Sequence, residues 1–420
     1  MKMKVLWFAN LPCGAAQKLG MNVNIGGWLS SLEEQLVSED IALSVAFYWG
    51  EKLEPFVYRK TTYYPIFRKG SHSKFGRLIG RILDQNTDDA ELKQLLETID
   101  LAQPDLIHIH GTENNFGLIQ GLVNIPVVVS IQGIISVYAE KYFSGISKMQ
   151  AILHEKLSAK LLYKSAGYRY RNLKQAAVRE LKIYRKTNFF IGRTDWDRRI
   201  SQLLSPSSQY FIGNEILRGS FYKASWTKTA FGQKIKIATV MSDGLYKGME
   251  TIMKTAKLLI DGGQIDFEWI VIGQEESNDL VKLTKSLLKV DFEKLNLKFV
   301  GSKTENEIVE ILTTADIYCQ VSHIENSPNS LCEAMLVGMP IIASFAGGTD
   351  SILTHHKEGI LVQAGDPYSF AGAIIELSRK FDTAAAYGKA ASIKALSRHD
   401  RDDIRRSTMN TYREVLKFNN

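Results

Sequence analysis

Short, almost wholly apolar runs recur along this chain, each followed by a segment with apolar residues at helical spacing, and that alternation most restricts its fold. A β-rich run and then a helix predict a parallel strand with its crossover, because parallel strands need a helical return and are covered on both faces. In the first half the strand candidates are Lys4–Ala9, Leu43–Tyr48, Leu106–His110, Val127–Gln132 and Asn188–Gly192. Helical patterns lie at Gly27–Glu39, Asp88–Ile99 and, as one long pattern, about Ile146–Arg185. In the second half strands are predicted at Ile235–Val240, Phe267–Ile272, Lys298–Val300, Ile317–Val321 and Ile341–Ala343. Helices are predicted at Gly248–Ile260, Leu280–Leu288, Glu305–Thr313, Ser330–Val337 and Pro367–Arg379. A chain of 420 residues exceeds the size at which one hydrophobic core stops growing, so two parallel-sheet α/β domains are expected. The Gly, Ser, Lys and Thr content of Phe221–Gly232 suits a linker, which puts the domains at 1–226 and 227–399. The last stretch, 400–420, is a charged helical pattern with Tyr412, Val415 and Leu416 as apolar positions, and it can pack back on the N-terminal domain or cap the second.

No run of 18 uncharged apolar residues exists, so no bilayer-spanning helix is predicted. Lys2 and Lys4 precede an apolar stretch, but Asn10 and Pro12 close it too early for a secretory signal, and a first strand is the reading. Cys13, Cys319 and Cys332 form neither an even framework nor a metal-ligand spacing, which fits a reducing compartment such as the cytoplasm. Charge is uneven. Residues 1–226 hold 29 Lys and Arg against 20 Asp and Glu, while the remainder holds 23 against 25. The first half is therefore the part suited to an anionic partner.

The most informative stretch runs from Ser322 to Met335. A buried strand ends, a loop carries Glu325, and Ser327 and Pro328 read as the N-cap and first residue of a helix. The free N–H groups of a helix start suit a phosphate or diphosphate, and Asn329, Ser330 and Leu331 occupy that first turn. Glu333 falls one turn later, where a carboxylate can accept hydrogen bonds from vicinal hydroxyls. Taken alone, the same residues also describe an ordinary capped helix with two surface carboxylates. The next residues of the chain sharpen the reading: a Gly338-Met339-Pro340 turn, a buried strand, and a Gly347-Gly348 loop at the strand end where ligands of open α/β sheets bind. His356–Val362 then reads as a hairpin-like strand, and Gly365-Asp366-Pro367 as a helix start.

From Val321 to about Leu377 the chain resembles the retaining glycosyltransferases of family four. Their signature of Glu, seven residues, Glu is matched by Glu325 and Glu333, followed by Ala334-Met335 and the Gly-Met-Pro turn. The resemblance implies the GT-B fold, two Rossmann-like domains facing a cleft, and a nucleotide diphospho-sugar as donor, with no cofactor and no metal. It implies that Glu333 binds the donor ribose, that Glu325 contacts the transferred sugar or helps its transfer, and that backbone near Asn329, Ser330 and Leu331 holds the diphosphate. The family has an Arg and, five residues later, Lys-Gly; Lys247-Gly248 matches, and Ser242 stands where the Arg is expected. Arg218 is a candidate replacement. In the first half the resemblance makes Gly26 and Gly27, after strand one, a diphosphate-lining loop, and gives His110, at the end of a strand, contact with the transferred sugar. Residues alone leave His110 open as a packed core histidine, and Gly pairs are weak signals. Asp195-x-Asp197 has the look of a metal motif, but the segment opens a helix, where acidic residues are favoured by the dipole.

The resulting expectation is transfer of a sugar to a sugar, lipid-linked or surface-polysaccharide acceptor. A nucleotide-sugar epimerase, a sugar-phosphate synthase on the same fold, or a non-enzymatic anionic-polymer binder are the alternatives. A dehydrogenase is excluded by the missing G-x-G-x-x-G, and no nucleic-acid recognition motif is present. Two basic, aromatic-laced segments suggest a peripheral site on an anionic membrane. Arg59–Arg81 holds seven basic residues and no acidic one, and Lys141–Lys186 holds twelve against Glu155 and Glu180.

Overall fold

The computed structural model describes residues 2–21, 27–37, 41–68, 88–155, 165–291 and 293–418. The N-terminal half comprises β1 (Met3–Ala9), α1 (Gly27–Leu36), β2 (Ile41–Trp49), β3 (Phe56–Tyr58), β4 (Thr61–Phe67), α2 (Asp88–Ala102), β5 (Leu106–His110) and β6 (Val127–Ser130). It continues through α3 (Ile135–Lys141), α4 (Lys148–His154), α5 (Ala166–Tyr184), β7 (Phe189–Gly192), α6 (Asp195–Leu204) and β8 (Gln209–Ile212). The C-terminal half runs β9 (Lys234–Val240), α7 (Met249–Gly262), β10 (Asp266–Ile272), α8 (Asp279–Leu288), β11 (Leu297–Phe299), α9 (Glu305–Thr314) and β12 (Ile317–Gln320). It ends with α10 (Asn329–Val337), β13 (Ile341–Phe345), α11 (Thr349–Ile352), β14 (Ile360–Gln363), α12 (Pro367–Ser378), α13 (Phe381–Arg398) and α14 (Arg401–Lys417).

Two sheets result, ordered β3-β4-β2-β1-β5-β6-β7-β8 and β11-β10-β9-β12-β13-β14. Pairing is parallel throughout except for β3 with β4. The central strands are apolar on both faces, as Val5 to Ala9 and Ile317 to Cys319 show, because helices cover each side. In each sheet the strand order reverses beside its first strand, between β1 and β5 and between β9 and β12. A crevice opens beyond the strand ends at such a reversal, which sets where a ligand binds.

Several elements differ from the sequence reading. Thr61–Phe67 is a strand because it pairs with β2 on one side and the edge strand β3 on the other, with Arg59 and Lys60 in left-handed conformation (φ 48° and 73°) turning the hairpin. The long helical pattern is divided: Ser147 caps the start of α4 through Gln150, and Ser165 caps the start of α5 through Tyr168. Ile360–Gln363 is a parallel strand on β13, not half of a hairpin. Strand β8 and helix α13 have no counterpart in the sequence reading. Helix α14 leaves the C-terminal half and packs Ile404, Met409, Tyr412 and Val415 into the core of β1, β2 and β5.

Candidate functional site

Between the two sheets lies a cavity of about 580 Å³ whose walls come from both halves of the chain, a volume within the range of ligand pockets. Gly27 and Trp28 from the start of α1, Gln132 beyond β6 and Arg193 beyond β7 line one wall. Ser242 and Lys247 beyond β9, Gln320 ending β12, Glu325, and Asn329, Ser330 and Glu333 of α10 line the other. These positions lie at or just beyond strand ends or in the first two turns of a helix, so the sheets place them through their topology.

Glu325 and Glu333 are almost wholly buried, not surface carboxylates. Lys247 Nζ stands 2.6 Å from Glu325 Oε1, which also accepts from the Ser322 hydroxyl at 2.8 Å. Burial by itself lowers the Lys247 ammonium, and the Glu325 carboxylate reverses this, so the side chain stays protonated above its ordinary range. Arg218 grips Glu333 with two parallel bonds, Nε to Oε1 at 2.7 Å and Nη2 to Oε2 at 2.6 Å. Burial lifts the Glu333 carboxyl above the usual carboxylate range and the guanidinium works against that lift. A third pair, Arg193 with Glu215 at 2.5 Å, lies beneath the Trp28 ring, 4.9 Å from the guanidinium carbon.

The helix start differs from the sequence reading by one residue. Pro328 holds the N-cap position, α10 begins at Asn329, and no side chain caps it, since Ser327 Oγ turns to Glu215 at 3.4 Å instead. The first-turn N–H groups of α10 are thus left free of a side-chain cap on the cleft wall. Ser330 Oγ reaches Gln320 at 3.3 Å, and the Asn329 side-chain oxygen is buried without a partner. Leu331 is fully buried and does not line the cavity: its side chain packs in the core, and its N–H donates to the Pro328 carbonyl at 3.0 Å. Gly248, in left-handed conformation (φ 82°), directs Lys247 inward: a Cβ there would stand 2.3 Å from the Val321 carbonyl oxygen. Gly347 (φ 56°) does the same for the Glu325 loop, with 1.8 Å to the Glu325 carbonyl oxygen.

His110 does not line the cavity. It is wholly buried, edge-on to Trp7 at 4.5 Å and to Trp28 at 5.8 Å, and neither ring nitrogen has a hydrogen-bond partner. Burial first, then the neighbouring His108 and Arg193, hold it neutral well below the ordinary histidine value. Trp28 therefore stands between it and the cavity. Gly26 lies outside the described residues; Gly27 opens α1 against the Arg218 stem. Asp197 accepts from the Arg193 and Thr194 amides, and Asp195 pairs with Arg198, so both serve the start of α6. Among the described residues no group of three His, Cys, Asp or Glu could hold a metal. Sequence reasoning does not single out Arg193, Glu215, Trp28 and Gln132, although a charged or polar residue directly after an apolar strand, as in Gly192-Arg193 or Ile131-Gln132, was the available signal.

Two parallel-sheet domains with a charged cleft at their facing strand ends define the class: this is a GT-B fold, and over 99% of the chain it matches sucrose-phosphate synthase from Thermosynechococcus elongatus, covering 100% of that chain at TM-score 0.73 with 14% identity. Residues 223–394, which carry Lys247, Glu325 and Glu333, match the model of the glycosyl transferases group 1 family. Among sequence relatives, the amylovoran biosynthesis glycosyltransferase AmsK of Erwinia amylovora is 28% identical over 158 residues, 36% of this chain and 38% of that protein. The UDP-Gal:alpha-D-GlcNAc-diphosphoundecaprenol alpha-1,3-galactosyltransferase of Escherichia coli is 28% identical over 127 residues, 30% of this chain and 32% of that protein. The matched stretch thus spans less than two fifths of each of these relatives.

Proposed function

We propose that the protein is a retaining, metal-independent hexosyltransferase that moves a sugar from a nucleotide diphospho-sugar to a lipid-linked or surface-polysaccharide intermediate. The observation that carries this reading is the pair of buried cation–carboxylate contacts, Lys247–Glu325 and Arg218–Glu333, on one cavity wall beside the uncapped start of α10. Glu333 would hold the ribose hydroxyls, and the backbone of Asn329, Ser330 and Leu331 with that of Gly26 and Gly27 the diphosphate. Departure of a nucleoside diphosphate leaves an oxocarbenium-like sugar and a growing negative charge, and Lys247 with the α10 N–H groups would stabilise that charge where it develops. Glu325, beside Lys247 on the same wall, would contact the transferred sugar or help its transfer. His110, behind Trp28, would reach that sugar only if Trp28 shifts on binding. A leaving phosphate oxygen can itself take the acceptor proton, so no separate general base is assigned.

The acceptor class draws on two relatives, whose names speak of amylovoran biosynthesis and of a diphosphoundecaprenol-linked sugar. An acceptor of that kind brings the enzyme to the inner face of the cell membrane, in the cytoplasm. No helix among the described residues is long and apolar enough to cross a membrane. A peripheral contact would use the basic N-terminal half, where α4 exposes Met149, Ile152 and Leu153 beside Lys148. Residues 69–87 and 156–164, which hold part of both basic segments, lie outside the described residues.

The test is transfer from a panel of nucleotide sugars to lipid-linked and free sugars, with Glu333→Gln and Glu325→Gln beside wild type and folding checked by circular dichroism. Either substitution is expected to remove most transfer, and EDTA to remove none. Near wild-type turnover in a folded Glu333→Gln or Glu325→Gln protein rules out the site assignment, and activity lost to EDTA and restored by Mn²⁺ rules out the metal-independent mechanism. Isomerisation of the donor without an acceptor would identify an epimerase instead.

A further inference from the structure

Each cation on the cavity lining is already engaged by a carboxylate. Arg193 is held by Glu215, Arg218 by Glu333, Lys247 by Glu325, and Lys303, at the outer edge, by Glu307 at 3.2 Å. Backbone N–H groups aside, a nucleoside diphosphate gains a side-chain cation from this balanced lining only if a pair opens. The Arg193 pair is the least free to do so: it is buried under Trp28, the Arg193 carbonyl accepts from Arg398 at 2.7 Å, and Glu215 also faces Ser327.

Arg218 is placed differently. Its side chain is 17% exposed, its stem lies against the first residue of α1 (a Cβ on Gly27 would stand 3.1 Å from its Cγ), and its head rests on Glu333 in α10. It therefore bridges the two helix starts between which a diphosphate would sit. Each oxygen of Glu333 accepts one of its two bonds, and the residue is almost wholly buried with the guanidinium on it, so hydroxyls reach Glu333 by displacing Arg218. Ser242, also on the cavity lining, offers no charge. Resting on the nucleotide-sugar reading above, we propose that Arg218 is an exchanged ligand: ribose hydroxyls replace it on Glu333, and the released guanidinium turns onto the diphosphate. The planar fork suits two phosphate oxygens as it suits a carboxylate. A nucleoside without phosphates must break the pair and gains no new partner for Arg218, so recognition of the base and ribose is coupled to the presence of the diphosphate.

Calorimetric titration of the full chain with uridine, UMP and UDP, and in parallel with guanosine, GMP and GDP, reads the ratio of diphosphate to nucleoside affinity. In Arg218→Ala that ratio is expected to fall at least about tenfold, with nucleoside affinity equal to or above wild type because Glu333 is no longer contested. Glu333→Gln is expected to weaken the nucleoside while keeping the ratio. Arg218→Ala strands a buried carboxylate, so the Arg218→Ala/Glu333→Gln protein is titrated as well, and the lowered ratio must persist there. A ratio unchanged by loss of Arg218, or nucleoside and diphosphate weakened by the same factor, overturns the exchange and leaves Arg218 a structural tether. A wild-type protein that binds none of the six ligands overturns the nucleotide reading itself, and the exchange with it.

Discussion

His108 shows how a single side chain is fixed by partners far apart in sequence. Its Nδ1 lies 2.7 Å from the Tyr412 hydroxyl and its Nε2 2.6 Å from Ser130 Oγ, while Tyr412 accepts from Trp7 Nε1 at 3.0 Å. Tyr412 has one proton to give, so every group is satisfied when it donates to Nδ1 and His108 donates from Nε2 to Ser130. The ring is thereby held neutral, and burial lowers its pKa to about 3 from 6.5. Between those values the unfolded chain carries a proton that the folded chain does not, so stability falls as pH drops from 6.5 toward 3 and is unaffected by this group above 6.5. The contribution has a slope of about 1.4 kcal/mol per pH unit within that window. Denaturant melts of wild type and His108→Gln at pH 4.5, 5.5 and 6.5 should show the wild-type slope steeper by that amount; equal slopes would mean that His108 protonates in place. His399, pushed down to about 4 by burial, adds a second term of the same sign.

At the scale of elements, the site depends on two glycine turns that hold loops against each other. Gly347 allows the loop after β13 to meet the Glu325 carbonyl, and Gly348 N donates to that same oxygen at 3.0 Å. Gly347→Ala adds a Cβ at 1.8 Å from that oxygen and strains a left-handed residue, so the Glu325 loop must move. Transfer is expected to fall at least tenfold with a stability loss of about 1–3 kcal/mol; Gly262→Ala, whose Cβ meets nothing within 4 Å, is the control and should change neither. The alternating pattern was legible for the central strands because burial on both faces leaves an unbroken apolar run, as in Val127–Ser130 and Phe189–Gly192. It was not legible for β4, whose Thr61-Thr62-Tyr63-Tyr64-Pro65 becomes a strand only by pairing between β2 and the edge strand β3.

For the whole molecule, α14 ties the second half of the chain to the first. Removing its hydroxyl anchor by Tyr412→Phe strands both the Trp7 N–H and His108, a loss expected to cost about 1–3 kcal/mol and to lower the melting temperature measured by scanning fluorimetry. An unchanged melting temperature would show that the helix is held by apolar packing alone. The charge asymmetry belongs to this scale too: flotation with phosphatidylglycerol vesicles at low salt, weakening as salt rises, is expected if the basic N-terminal half meets a membrane, and protein that stays unbound at low salt would leave a freely diffusing acceptor as the partner.

The sequence by itself determined the alternating α/β architecture, because strand and helix periodicities are local, and its family resemblance singled out Glu325, Glu333 and Lys247, which line one cavity. Only the tertiary structure decided what those groups face. Arg218 is 115 residues from Glu333 and Trp7 is 405 from Tyr412, and no local pattern encodes a contact across such distances. The helix that closes the chain shows the same limit: its apolar stripe is readable, but which of two cores accepts it follows from the space left beside β1, β2 and β5. His110 makes the point in reverse. Strand alternation placed it beside His108 at a sheet end, and it took the packing of Trp28, from helix α1, to put it behind the cavity wall instead of on it.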